Sequence, residues 1–118
     1  MRKLPVLLVA ALALTAAVAL TAGEMVTVTG EIVDSACYIK MGAQGEGHRE
    51  CAQQCANAGI PLALLEEGTG NVIWLAAKED AKSANPLVRD HAGHRVQVTG
   101  EMSERGGAKL LVVESVSM

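Results

Sequence analysis

The chain has 118 residues, with 10 basic and 13 acidic side chains, a net charge of −3, no Phe, one Trp and one Tyr. An acidic surface repels phosphate backbones and two aromatics cannot form a row of base-stacking platforms, so nucleic acid is not expected as a partner. The length suits one small domain and not two.

Residues 1–22 begin with MRK and continue as LPVLLVAALALTAAVALTA, a basic n-region followed by the apolar h-region of an export signal. The apolar run of about 19 residues approaches the roughly 20 needed to span a bilayer, so an uncleaved anchor is the competing reading. Its end is rich in small residues, however, with Ala17/Ala19 and Thr21/Gly23 as small-x-small pairs. The expectation is therefore cleavage, a periplasmic or secreted product and no stable membrane anchor afterwards. Losing Arg2 and Lys3 leaves 8 of the 10 basic residues against all 13 acidic ones, a net of −5.

Residues 25–34, MVTVTGEIVD, alternate apolar and polar side chains around a Val-Thr-Gly, the pattern of a strand with one buried face and a Gly at a bend or bulge. Residues 95–104, RVQVTGEMSE, echo it. Two distant copies do not make a solenoid, and a shared barrel geometry accounts for them better. Residues 60–68 and 71–77 read as the strands of a hairpin turning through Gly-Thr-Gly-Asn. The stretch AKEDAKSANPLVRDHAG carries helix-forming residues, interrupted at Asn85-Pro86 and ended by Gly93, with Pro86 opening a second short helix. A closing hairpin then pairs RVQVTGEMSE with AKLLVVESVSM across Arg105-Gly106-Gly107.

This order predicts a mainly β domain over residues 23–118. It would be a five-stranded OB-like Greek-key barrel with a helical Cys/His insertion between strands 1 and 2 and a helix between strands 3 and 4. The segment after residue 22, and most tellingly HRVQVTGEMSERGGAKLLVVESV, resembles the small exported OB-like proteins of bacteria. That resemblance implies a fold, and fold alone does not give function.

The insertion, residues 34–61, is long for a connection, and such loops are usually functional. Gly45-Glu46-Gly47 and Gly59-Ile60-Pro61 bracket a helix expected from about residue 48 to 58. On that helix His48, Cys51 and Cys55 would fall within about 60° of one another, and Cys37, just past the first strand, could swing over the same face. Three cysteines in an exported chain is an odd number, which leaves a free thiol, an intermolecular bridge or metal-held thiolates. Cys37, His48, Cys51 and Cys55 are therefore the candidate metal ligands. Three thiolates and an imidazole suit zinc, with copper(I) as the rival and Met41 as a nearby thioether. The spacing C-x10-H-x2-C-x3-C matches no common zinc finger, and by spacing alone heme ligation by His48 or a cysteine stays open.

Two other readings use the same residues. A disulfide from Cys37 to Cys51 or Cys55 would staple the insertion to the barrel of an interaction module for an envelope protein or small ligand, stabilising it by roughly 2–4 kcal/mol. A thiol-redox protein would instead use Cys51, near a helix start beside His48 and Arg49. Asp34 is read either as a turn cap or as an acceptor for the ring N–H of His48. Tyr38 is read as a lid on the insertion, Trp74 as barrel core or rim, and His91 and His94 as residues at the end of a helix. No Ser/His/Asp spacing, phosphate-cradling loop or carboxylate pair stands out, and Gly68-Thr69-Gly70 sits in a turn that opens no helix, so an enzyme is not expected.

Overall fold

The computed structural model describes residues 23–118; the expected export signal lies outside them. Five strands close into a barrel in the order β1-β2-β3-β5-β4: β1 Glu24–Asp34, β2 Leu62–Glu66, β3 Val72–Ala76, β4 Arg95–Arg105 and β5 Ala108–Ser117. Three helices decorate it: α1 Ser35–Met41 and α2 Arg49–Asn57 between β1 and β2, and α3 Asn85–Val88 between β3 and β4. Among the described residues no helix is long and apolar enough to cross a membrane.

The two longest strands carry the closure. β1 pairs antiparallel with β4 from Glu24↔Met102 to Glu31↔Arg95, then with β2 from Gly30↔Glu66 to Asp34↔Leu62. Its N-terminal part thus pairs with one neighbour and its C-terminal part with another, the two overlapping at Gly30 and Glu31. β2 pairs antiparallel with β3, β3 runs parallel to β5, and β4 and β5 form the expected hairpin through Gly106 and Gly107. Both of those glycines have positive φ, 60° and 79°, which a two-residue hairpin turn demands.

Period-two burial follows from this register. Val28 and Ile32 from β1, Leu62 and Leu64 from β2, Ile73 from β3, Val96 and Val98 from β4 and Leu111 and Val113 from β5 fill the barrel. Val88 on α3 and Ala92 just beyond it close one end, while Ala52 and Ala56 of α2 join the core from the side. Small residues on that helix let it lie close against the barrel.

The stretch between β3 and β4 departs from the sequence expectation. Residues 78–84 form turns, and Ala81 has φ 61°, a left-handed conformation that ends any right-handed helix. Only Asn85–Val88, with Pro86 in its first turn, and a one-turn 3-10 helix Arg89–His91 are helical. Asn85 is buried and holds three separate pieces of backbone. It accepts from Leu62 N at 2.8 Å and donates to Ala56 O at 3.2 Å and Ile60 O at 2.9 Å, tying α2 and the entry to β2 to this corner.

Candidate metal centre

The insertion begins and ends at adjacent points, since Asp34 faces Leu62 in the sheet and Ser35 N donates to Pro61 O at 3.1 Å. Between them lie two helices where the sequence suggested one. The additional one, α1, starts because the Asp34 carboxylate accepts a hydrogen bond from Cys37 N at 3.0 Å, an N-cap that frees the chain from the strand at once. It stops at Gly42, whose φ of 69° allows its N–H to reach back to Tyr38 O at 2.7 Å.

The loop into α2 is held on both sides. Gly45 N donates to Glu31 Oε2 at 2.7 Å, His94 Nε2 meets Glu46 Oε2 at 2.7 Å, and Arg49 donates to Ala92 O at 2.8 Å. Gly93 lies against Gly45 with φ 76°, where a Cβ would come within 2.8 Å of the Gly45 carbonyl. These contacts fix the 3-10 turn Glu46–His48, and His48 lies in that turn ahead of α2.

That placement puts His48 at the start of α2, one residue before its first turn. His48 is brought together with Asp34 and Cys37, one ligand atom from each lying within 4.8 Å of the others, while Cys51 and Cys55 lie outside this closest group. Asp34 and His48 share a further feature: Asp34 Oδ2 and His48 Nε2 are both buried without a hydrogen-bond partner. The other Asp34 oxygen, Oδ1, is taken by the cap. Burying a polar atom unpaired costs on the order of 1–3 kcal/mol, so two residues of one close group that each keep such an atom call for an explanation. His91 Nδ1 is also buried and unpartnered, but His91 borders a different hollow with Lys78, Glu79 and Glu114.

Cys37, Cys51 and Cys55 are all free thiols; Cys51 is exposed and the other two are half-buried. The Asp34 carboxylate, to which the Cys55 thiol can donate, pushes that thiol up to about 11, with burial adding to it. Since Oδ2 keeps no hydrogen bond, the Cys55 sulfur lies near the carboxylate without good bonding geometry to that oxygen. Cys37 is also raised, by burial first and by the Asp34 charge second. Both thiols feel Cys51 as well. Asp34, Cys37 and His48 thus form a compact group, with Cys55 near the same carboxylate and Cys51 near the other two thiols.

Other expectations resolve simply. Tyr38 is half-buried and borders a hollow of about 340 Å³ between the insertion and the barrel, along with Gln44, Glu31 and Arg95. Trp74 is half-buried on β3. His94 is engaged with Glu46. No protein-family model, curated protein or solved structure matches the chain.

Proposed function

We propose that this is an exported, metal-binding protein of the OB-like barrel type, with Asp34, Cys37 and His48 as inner ligands and Cys55 and Cys51 beside them. The observation that carries the reading is that Asp34, Cys37 and His48 each bring a ligand atom within 4.8 Å of the others, while Asp34 Oδ2 and His48 Nε2 are buried without a hydrogen-bond partner. An ion bonded at about 2.0–2.3 Å needs tetrahedral donors about 3.3–3.8 Å apart, so a closure of about 1 Å from the 4.8 Å limit would suffice. Zinc is favoured over copper(I), because a carboxylate is a hard donor that the cuprous ion has little use for. The site would hold α1 and α2 against the barrel or carry the ion for an envelope partner. The strand order, with a helix before β4, supports the OB-type reading. The acidic surface supports a partner other than nucleic acid.

The test is metal content and melting temperature of the mature protein, purified reduced from the export compartment without chelator. About one zinc per chain is expected, and zinc at about 100 times its Kd should add about 2.7 kcal/mol, raising Tm by roughly 10–20 °C. Asp34→Asn keeps a capping oxygen but loses the anionic ligand, and His48→Ala loses the imidazole. Both should release the ion while the barrel stays folded. A metal-free wild type that gains no stability from zinc or copper(I) would remove the reading.

A further inference from the structure

The donors around Asp34 form a gradient of exposure. Asp34 is 1% exposed, Cys37, His48 and Cys55 are half-buried, and Cys51 alone is open to solvent. Cys51 is also close enough to influence both other thiols. Its four-residue spacing from Cys55 on α2 puts their Cβ atoms about 5–6 Å apart. An outer thiol one helical turn from Cys55, at a site whose buried carboxylate keeps one oxygen unpartnered, has the arrangement of an entry ligand.

Resting on the metal-binding reading, we propose that Cys51 is the exchange ligand through which the inner site takes a thiophilic divalent ion from a thiolate carrier, such as a low-molecular-weight thiol complex. The step is an associative ligand exchange with no change of oxidation state. The Cys51 sulfur gives up its proton to solvent and bonds to the incoming ion. The bond from the ion to the carrier's sulfur breaks, and the carrier thiolate leaves with its electron pair and is protonated by solvent. The ion then passes to Cys37, His48 and the free oxygen of Asp34, with Cys55 alongside. The buried donors set the affinity, and the exposed one sets the rate.

The experiment uses zinc–glutathione as the donor and follows zinc arrival in the reduced mature protein by stopped flow, with aqueous zinc salt as a carrier-free comparison. For Cys51→Ser the expected result is one zinc per chain, Kd within about threefold of wild type, and transfer from zinc–glutathione slowed at least tenfold. Uptake from the zinc salt should change much less. Cys37→Ser should instead weaken Kd at least tenfold. Unchanged transfer in Cys51→Ser would make Cys51 a bystander, and loss of the ion would make it a holding ligand; either overturns the inference and leaves the metal site standing. A wild type that binds no zinc removes both.

Discussion

The two oxygens of Asp34 have different surroundings, and the cap is the one that a strand-end Asp leads one to expect. Oδ1 caps α1 through Cys37 N, as an Asp at a strand end often does, and Oδ2 is buried without a partner in a residue grouped with Cys37 and His48. Cys37, His48, Cys51 and Cys55 stood out by type and spacing. What spacing could not give was that His48 precedes α2, because that depends on Glu31, His94 and Ala92 gripping the loop from distant parts of the chain. The same carboxylate has a consequence for the metal-free protein. Cys55 titrates near 11 when folded, against an ordinary value of 9.0. Its folded pKa is raised, so its contribution is complete below the unfolded value and is lost as pH rises from about 9 toward 11. Chemical denaturation of reduced, metal-free protein should therefore show stability falling across that window, less steeply in Cys55→Ser. Parallel profiles for the two proteins would show that Asp34 does not hold the thiol neutral.

Among the elements, the link between β3 and β4 shows where propensity misleads. Ala, Lys and Glu are good helix formers, but propensity alone does not hold a short helix and residues 78–84 have no apolar stripe to pack, so turns with Ala81 left-handed replace it. Pro86 was the better guide, since it starts α3 where a missing N–H costs nothing. The important residue beside it, Asn85, gave no signal, because its three hydrogen bonds go to backbone 23 to 29 residues away. Asn85→Ala would strand Leu62 N and Ile60 O and remove one of the bonds to Ala56 O, which still accepts from Gly59 N. At about 1 kcal/mol per bond it should cost about 3 kcal/mol, with urea midpoint reduced and m unchanged. Asn85→Asp keeps the acceptor for Leu62 N and loses both donors, so it should also destabilise the fold. A midpoint within error of wild type for Asn85→Ala would mean that water replaces the amide at no cost.

At the scale of the barrel, the two Val-Thr-Gly echoes acquire a common cause. β1 and β4 pair with Val28↔Val98, Val26↔Gly100 and Gly30↔Val96, so the copies lie antiparallel across a local twofold relation. Each glycine sits where its strand is crossed closely by a second neighbour. A Cβ on Gly30 would collide with the Leu65 carbonyl of β2, and one on Gly100 with the Val112 carbonyl of β5. The register also shifts between Thr99 and Gly100, the irregularity that the sequence pattern suggested. These are backbone contacts that no flexible side chain can relieve, so the strands themselves would have to move apart. Gly30→Ala and Gly100→Ala should each cost about 3 kcal/mol, lowering Tm by roughly 12–24 °C in a domain of this size. Gly47→Ala is the internal comparison: a Cβ there meets nothing within 4 Å and no positive φ is needed, so Tm should stay within a few degrees of wild type. If all three variants melted together, close strand approach would not explain the repeated motif. If Gly30→Ala alone also lost zinc affinity, the bend at Gly30 would be what aims the end of β1, and with it Asp34, at the ion.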